Sequence, residues 1–390
     1  MELTLSKIDI NSCTLEELEN EIFRLNSIAG EYFNLEQSIK IFINSIYGAT
    51  GNAYFKGYNV NLAEAVTIQG QDVSKYASAC IDEYMMNYWH LDTQLHKALG
   101  IKNVNKINEK STTIYMDTDS CYITFAPLLK SCGYSGDPSE FILKIRDLRL
   151  NAFLKKKFDE YAIKFNTKNI QDLELEKISR SAIMVAKKKY ILDLAWKDPG
   201  VFYKPQEKIK FVGVEIVQGS TPKFARKALK ELIELVCRQG KNIIYADVVK
   251  VLRDYKKEFC MQSPEDISKT QSLGDYEKYC LKDKDEILLA PKCPQNVRAS
   301  AVYNHKVLNN KKLKSKYGLI KTGDKVKFYS TKDENEVFGF LPGNFPYEFA
   351  PEIDYDTQFE KMIIDPFNRI LETIGFNPVP GMLIYAGPLF

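Results

Sequence analysis

Closely spaced cysteine and histidine ligands are missing from this sequence of 390 residues. Its eight cysteines include no C-x-x-C pair, and only three histidines occur. Because structural zinc sites need clustered thiolate or imidazole ligands, the sequence argues against a thiolate-bound metal and indicates reduced, structural cysteines. Any enzymatic chemistry must therefore come from carboxylates and lysines.

Long hydrophobic runs are also lacking. No apolar segment approaches the roughly 20 residues of a membrane span, and the N-terminus has no signal-peptide pattern. We therefore expect a cytoplasmic protein without a membrane partner. The length allows roughly two or three domains, each with its own hydrophobic core.

Net charge gives little information, because a formal value of +3 is too small to indicate a nucleic-acid-binding protein by itself. The distribution of charge is more informative. Residues 301–330 contain eight lysines and the single acid Asp324. This stretch either attracts the backbone of a polyanion or forms a solvated, flexible surface loop.

The strongest helical signal lies near the N-terminus. Thr14 and Glu17 have the spacing of a capping box, and the pattern predicts a helix from about residue 15 to residue 47, roughly 50 Å long. Gly48–Asn52 is expected to stop it. An apolar stripe with helical spacing is expected to be buried, and its members are Leu18, Ile22, Leu25, Ala29, Tyr32, Ile39, Ile43 and Ile46.

A polar stripe lies beside the apolar one at the end of this helix. Lys40, Asn44 and Tyr47 fall within about 60° of one another at about 100° per residue. A cation, an amide and a phenol on one stripe suit a bound nucleotide. The alternative is an ordinary helix end with a solvated lysine.

A second helix, beginning near Asn61, is expected to pack under a sheet. Its predicted buried residues are Ala65, Ile68, Val73, Tyr76, Ala77, Cys80, Ile81, Tyr84 and Tyr88. The sheet is indicated by two β-rich runs between Thr112 and Phe125, which predict a hairpin with Asp117 and Asp119 at its tip. Two carboxylates this close suit Mg²⁺, although Asp-rich turns are also common without a metal.

Further elements follow in order. A helix is expected over about 139–165, and Leu173–Glu176 alternates as a short strand that places Glu174 and Glu176 on one side. Those acids either extend the aspartate site or face solvent. Ile183–Leu192 is a second β-like run, in which Lys188 and Tyr190 project to the same face and suit contact with a phosphate backbone.

The last part of the chain changes pattern near residue 213, where we place a domain boundary. Helices are predicted at about 222–238 and 244–259. A tract rich in Phe and Pro follows at 338–351.

Three motifs occur in a fixed order: K-x-x-x-N-S-x-Y-G at 40–48, D-T-D-S at 117–120 and K-K-K-Y at 187–190. Together they resemble the C-terminal half of a family B DNA polymerase, and the similarity is to the T-even-type phage replicative branch. Phe211 to Lys223, and Lys292-Cys293-Pro294 with Arg298, also resemble that family.

The resemblance implies an α+β right-hand polymerase fold with an antiparallel palm sheet, packed helices, a long fingers helix and a mostly helical thumb. It implies fingers at 1–51, a palm at 52–212 and a thumb with a C-terminal tail at 213–390. It also implies DNA-directed DNA synthesis, and for a phage-encoded protein a location in the host cytoplasm.

The resemblance also assigns roles to residues. Lys40 and Asn44 would meet the triphosphate of a deoxynucleotide, and Tyr47 would border the nascent base pair. Asp117 and Asp119 would be the catalytic carboxylates that bind two Mg²⁺ ions, with Mn²⁺ as the alternative ion. Glu176 would lie close to those metals, and the implied contacts with primer-template DNA are Gly48, Lys188, Tyr190, Lys223 and Arg298.

The sequence departs from the family pattern in several places. Met116 replaces the usual glycine and Lys189 the usual arginine. The D-x-x-S-L-Y-P segment with the family's other metal-binding aspartate is absent, and so are the exonuclease carboxylates. Because the chain starts at Met1, just inside the second fingers helix, we expect a polymerase divided between two polypeptides, with an N-terminal partner chain carrying the missing parts.

The sequence is also compatible with two other functions. One is a non-catalytic DNA-binding or scaffolding relic of a polymerase, and the other is a polymerase that acts on or makes RNA. The resemblance also implies that the C-terminal residues 387–390 dock on a sliding clamp, although a tail packed on the thumb or the partner is an equal alternative.

Overall fold

The computed structural model describes residues 13–281 and 288–385, which form parts of two compact units, Met1–Leu173 and Glu174–Phe390. This division does not coincide with the three predicted domains, which stay predictions. The helices and strands described in the first unit are α1 (Leu15–Thr50), α2 (Val60–Glu83), α3 (Thr93–Ala98), β1 (Thr113–Asp117), β2 (Ser120–Ile123), α4 (Ala126–Cys132), α5 (Pro138–Ile145) and α6 (Asn151–Lys164).

The predicted capping box starts α1. Glu17 donates its amide to the Thr14 hydroxyl at 3.3 Å, and the Glu17 carboxylate accepts from the Thr14 amide at 2.9 Å. The helix continues through Gly48 to Thr50, three residues beyond the predicted end, and Gly51 caps it. Its 36 residues correspond to about 54 Å.

The predicted burial of the apolar stripe on α1 is wrong, because α1 contains no buried residue. Ile22, Ile39 and Ile43 are 58%, 51% and 59% exposed. Helical periodicity shows which side chains share a face, but burial requires a second element to cover that face. Among the described residues, the C-terminal end of α1 contacts α2. No described element covers the apolar stripe.

Helix α2 begins at Val60, one residue before the predicted start near Asn61, because Asn59 caps it by accepting the Leu62 amide at 3.0 Å. The predicted buried face is confirmed in its second half, where Ala77, Cys80 and Ile81 are buried. It is wrong for Ala65, Ile68 and Tyr88, which are exposed. The buried half packs on the β1–β2 hairpin and α6, so the expectation that α2 packs against a sheet is confirmed.

The core of the first unit continues from α2 into the aromatic residues that follow it. Trp89 is completely buried, donates its indole N–H to the Ser131 hydroxyl at 2.9 Å and meets Phe141 edge to face. The predicted helix over 139–165 is confirmed as α5 and α6, joined by one π-helical turn. Phe141 and Ile145 are buried in the core, whereas Leu148 in the π-helical turn is exposed.

Asp92 ties three parts of this unit together. Its carboxylate accepts two hydrogen bonds from Arg149, at 2.6 and 3.1 Å, and one from the Leu95 amide at 3.0 Å. The Tyr84 hydroxyl donates a fourth at 3.1 Å. Burial opposes ionisation of Asp92, but the hydrogen bonds from Arg149 and the amide prevail and lower its pKa.

Replacing Asp92 by Asn should therefore lower the free energy of unfolding by about 2 kcal/mol at pH 7, because a charge-assisted network is lost. A carboxyl group with a lowered folded pKa contributes stability above its ordinary pKa of about 3.9, and that stability is lost as pH falls through the folded pKa. Thermal unfolding of wild type and Asp92→Asn should thus converge below about pH 4.

The matched control is Asp147→Asn, since Asp147 pairs with its neighbour Arg146 at 2.6 Å but is 55% exposed. A surface pair of this kind contributes about 0–1 kcal/mol. A constant difference between Asp92→Asn and wild type from pH 7 to pH 3 would contradict the prediction.

The second unit mixes helices with small antiparallel sheets. Its elements are β3 (Lys177–Ala186), β4 (Lys189–Lys197), β5 (Val201–Phe202), β6 (Ile209–Val212), α7 (Lys223–Gln239), α8 (Tyr245–Cys260), α9 (Pro264–Ile267), β7 (Lys269–Ser272), α10 (Tyr276–Tyr279), β8 (Cys280–Leu281), β9 (Leu288–Leu289), α11 (Gln295–Leu308), α12 (Lys311–Lys316), β10 (Lys325–Ser330), β11 (Val337–Phe340), α13 (Tyr355–Phe359), α14 (Asp365–Thr373) and α15 (Met382–Tyr385).

Strands β3 to β6 form one sheet in which β4 pairs with the other three, and β11, β10 and β7 form another. The β1–β2 hairpin is a separate two-stranded sheet in the first unit. The described strands thus form several small antiparallel sheets. The predicted α+β class is confirmed at this level. The predicted bounds of α7 and α8 are also confirmed to within one residue.

Two strand predictions in this region are wrong. Leu173–Glu176 forms no strand, because none of the described strands pairs with it, and β3 begins at Lys177. The run from Ile183 to Leu192 is the turn of a β3–β4 hairpin and not one strand. Lys188 occupies that turn with φ of 62°, whereas Tyr190 lies on β4, so period-two alternation does not relate their side chains.

The core of the second unit joins α7, α8, α11, α13 and α14 to the β10–β11 hairpin, and it includes the buried residues Leu232, Leu252, Phe259, Tyr303, Phe338, Phe340, Phe359 and Phe367. The lysine-rich stretch 301–330 belongs to this packed region, since it contains most of α11, all of α12 and β10. The alternative of a flexible loop is therefore wrong. The Phe- and Pro-rich tract supplies Phe338 and Phe340 to the core.

Among the helices within 13–281 and 288–385, none has the length and apolar character needed to cross a bilayer. Residues 387–390, the predicted clamp-binding peptide, lie outside the described residues.

Candidate functional site

One face of α2 connects the end of α1 to the aspartate turn. The Thr67 hydroxyl is 2.6 Å from the Tyr47 hydroxyl, and the Ser74 hydroxyl donates to the Thr118 carbonyl at 2.8 Å. Thr67 and Ser74 are two turns apart, about 20° around the helix and about 10 Å along it. Gly70 lies between them, and a Cβ there would touch the Thr118 carbonyl at 3.8 Å. The structure thus brings Tyr47 and the aspartate turn onto one surface.

The polar stripe of α1 is open to solvent. Lys40 and Asn44 are exposed, and Tyr47 is 44% exposed. A Cβ built on Gly48 would meet no described atom within 4 Å, so a ligand can approach the backbone closely there. The stripe therefore presents a cation, an amide and a phenol along one side of a helix. These groups suit a ligand that has both anionic groups and an aromatic ring.

The aspartate turn is a two-residue loop. Asp117 pairs with Ser120 across β1 and β2, and Thr118 has φ of 34°. The Ser120 hydroxyl donates to the Asp117 carbonyl at 3.1 Å, and the Thr118 hydroxyl to the Asp117 carboxylate at 3.3 Å. Asp117 is half-buried, whereas Asp119 is exposed and accepts no hydrogen bond from a described residue.

This donor set fits Mg²⁺ only in part. Within the described residues, no group of three or more His, Cys, Asp or Glu side chains converges on a common point. Mg²⁺ is commonly held by one or two carboxylates together with water and substrate phosphates, and the turn supplies two. Asp117 and Asp119 therefore suit a divalent ion that also binds the phosphates of a nucleotide.

Glu176 belongs to the second unit, where it precedes β3. Its side chain is 75% exposed and pairs with Lys177. Its place beside the metal ligands stays a prediction.

Apart from Gly48 on α1, the predicted DNA contacts lie in the second unit. Lys188 lies in the exposed β3–β4 turn, and Tyr190 is half-buried on β4. Lys223 is the exposed first residue of α7, and Arg298 on α11 lies 3.6 Å from Glu336. Contact with DNA stays a prediction for these residues.

Sequence reasoning missed the residues that support the site. Thr67, Gly70 and Ser74 are small or hydroxylated residues with helical spacing, and this spacing is a signal that the sequence contains. It does not reveal which elements they touch. Glu215, which contacts Lys189, was also missed because its partners are distant in the chain.

Comparison with known proteins finds similarity to DNA polymerases. The family model described as DNA polymerase family B matches residues 30–131, a range that contains both the α1 stripe and the aspartate turn. A DNA-directed DNA polymerase of Enterobacteria phage T4 is 25% identical over 364 residues, covering 87% of this chain and 37% of that protein. One of Escherichia phage RB69 is 25% identical over 318 residues, covering 78% and 32%.

A DNA polymerase catalytic subunit of Psittacid herpesvirus 1 is 27% identical over 200 residues, covering 51% of this chain and 16% of that protein. The chain is thus related to the family B DNA polymerases. More particularly, it is a relative of the T4-type phage polymerases, as predicted from its motifs. It spans about a third of the length of those two phage relatives, 37% and 32%.

Proposed function

We propose that this chain is the C-terminal part of a DNA-directed DNA polymerase that adds deoxynucleotides to a primer 3′ end. The observation that carries the proposal is the single face of α2 that holds both the Tyr47 end of α1 and the aspartate turn. The relation to family B polymerases supports it. In this proposal the right-hand fold comprises fingers at 1–51, a palm at 52–212 and a thumb at 213–390.

The α1 stripe binds the incoming nucleotide in this mechanism. Lys40 and Asn44 contact its triphosphate, and Tyr47 borders the nascent base pair. The Thr67 hydroxyl fixes the Tyr47 phenol at 2.6 Å, so the ring is oriented before a nucleotide arrives. The open approach to Gly48 lets DNA pass close to the helix end.

Asp117 and Asp119 would hold the divalent ions, Mg²⁺ or Mn²⁺, and Glu176 is proposed as a further residue for the same ions. Such ions would supply activation of the primer 3′-hydroxyl and stabilisation of the departing pyrophosphate. The chain's own contribution is positional. The hairpin pairs Asp117 with Ser120, and the Ser74 hydroxyl anchors the turn through the Thr118 carbonyl, so the backbone that carries both aspartates is held in place.

The second unit grips the primer-template duplex. Lys188 and Tyr190 contact it behind the growing end, and Lys223 and Arg298 extend the grip. Contacts with phosphates make such binding independent of sequence and sensitive to salt.

We further propose that a second polypeptide completes the site. The 390 residues contain no D-x-x-S-L-Y-P segment, and the apolar stripe of α1 lies exposed. A partner chain carrying that segment and the exonuclease would cover the stripe and supply the remaining metal-binding aspartate. A sliding clamp is the further partner proposed for 387–390.

Primer extension tests the function. Deoxynucleotide incorporation is measured for the chain alone and after mixing with a polypeptide that carries D-x-x-S-L-Y-P, with ribonucleotides in parallel. Both proposals are supported if deoxynucleotides are incorporated by the mixture and not by the chain by itself. DNA binding without extension in the mixture contradicts catalysis and supports the non-catalytic relic, and preference for ribonucleotides contradicts the sugar assignment.

Lys40→Ala should raise the KM for deoxynucleotides and lower kcat/KM by about 10- to 100-fold, because a hydrogen bond between charged groups is worth about 1.5–3 kcal/mol. Steady-state extension at varied nucleotide concentration measures this. Lys56→Ala, another exposed lysine in the first unit, is the control and should leave KM unchanged. Equal effects of the two substitutions would contradict the role of Lys40.

A further inference from the structure

The β3–β4 turn carries three consecutive lysines, Lys187 to Lys189, of which the first two are exposed. Three adjacent cations on a tight turn repel one another, so the turn needs an external constraint to keep one conformation. Within the second unit that constraint comes from residues 213–218, the clasp segment, which follows β6 directly. Val212, the last residue of β6, pairs with Tyr190 on β4. The clasp segment that follows Val212 therefore lies beside the turn.

The backbone of the clasp segment meets the turn first. Gly213 has φ of 63°, and a Cβ at this position would lie 2.0 Å from the Lys188 carbonyl oxygen. No side chain fits there, so the Lys188 peptide rests directly against Gly213. The Gln218 side-chain amide donates to the Gly213 carbonyl at 2.9 Å and fixes the segment from its other end.

The side chain of Glu215 completes the contact. Its carboxylate lies 3.4 Å from the Lys189 ammonium and 2.8 Å from the Arg369 guanidinium. Arg369 belongs to α14, which packs beside β3. The carboxylate is 20% exposed, so water screens these pairs less than it screens a surface ion pair. Burial opposes its ionisation, yet its backbone hydrogen bond and the nearby Arg369 and Lys189 charges lower its pKa.

Lys189 pairs with Glu215, and the neighbouring Lys188 is an exposed residue of the turn with φ of 62°. We infer that Glu215 is a positioning residue, which holds Lys189 and α14 together so that the turn presents Lys188 to the phosphate backbone of duplex DNA. This inference rests on the proposed function of Lys188.

Binding of a primer-template duplex to the full chain at several NaCl concentrations tests the inference. Lys188→Ala should reduce the slope of log affinity against log salt by about 0.9, the value for one phosphate contact. Glu215→Gln should reduce it equally, and combining the two should add nothing further. If the Glu215 carboxylate acted only by repelling DNA, its removal would strengthen DNA binding, which is the opposite result.

The control is Glu352→Gln, which removes the partner of Lys332, 2.6 Å away in an exposed pair, and should leave the slope unchanged. If Glu215→Gln fails to fold, Arg369→Gln breaks the second anchor and should give the same slope. An effect of Lys188→Ala without one from Glu215→Gln overturns the positioning role and leaves the DNA contact intact. A slope that Lys188→Ala does not change overturns the DNA contact itself.

Discussion

Asp119→Asn is expected to reduce primer extension by about 10³-fold or more while leaving DNA binding close to that of the wild type. The exposed carboxylate at the tip of the β1–β2 hairpin makes no hydrogen bond with a described residue, so its loss leaves the fold intact. A metal ion contributes several kcal/mol of transition-state stabilisation, and each 1.36 kcal/mol corresponds to a factor of ten in rate. Single-turnover extension in the complete assembly measures the chemical step.

Asp72→Asn is the matched control, because Asp72 on α2 is an exposed carboxylate that lies 4.0 Å from Lys75. Its replacement changes net charge by the same amount without touching the aspartate turn. Thermal unfolding should be unchanged for both variants. Extension by Asp119→Asn at more than a tenth of the wild-type rate would remove Asp119 from the catalytic site.

Gly213→Ala is expected to destabilise the second unit by about 2–5 kcal/mol, because two separate costs add. An added methyl group would lie 2.0 Å from the Lys188 carbonyl oxygen, and a backbone atom cannot move aside as a side chain can. A residue with a Cβ also loses about 1–2 kcal/mol in the left-handed region, where Gly213 has φ of 63°. The transition of this unit should move to lower temperature in calorimetry or in far-UV circular dichroism.

Gly219→Ala provides the comparison from the same connection, since a Cβ at Gly219 would meet no described atom within 4 Å. Its melting temperature should stay within about 2 °C of the wild type, because surface substitutions usually cost less than about 0.5 kcal/mol. If the two alanine variants had the same melting temperature, the close approach of Gly213 to the turn would be disproved. Loss of salt-dependent DNA binding in Gly213→Ala would connect the clasp segment to Lys188.

Elements with local signals were predictable from the sequence. The capping box at Thr14 and Glu17 starts α1 where expected, and the alternating β-rich runs around Asp117 and Asp119 form the expected hairpin. Each signal acts within a few residues, through hydrogen bonds and side-chain periodicity that neighbours in the chain determine. The three motifs are local signals too, and their order was enough to indicate the similarity to family B DNA polymerases.

Several of the predictions that failed depended on a distant part of the chain. The α1 stripe has the spacing of a buried face, but its residues stay exposed because no described element covers them. Lys188 and Tyr190 alternate as on one strand, but the chain reverses between Ala186 and Lys189 because β3 pairs with β4 there. Periodicity describes one element and cannot state what lies against it.

The sequence by itself therefore determined the helices with capping signals, the aspartate hairpin and the chemistry available on the α1 stripe. Tertiary structure alone decided that α2 joins Tyr47 to the aspartate turn, and that Glu215 reaches Arg369 from a position far away in the chain. The physical reason is the range of the interactions. Caps and turns are settled among neighbouring residues, whereas packing and ion pairs depend on which surfaces folding brings together.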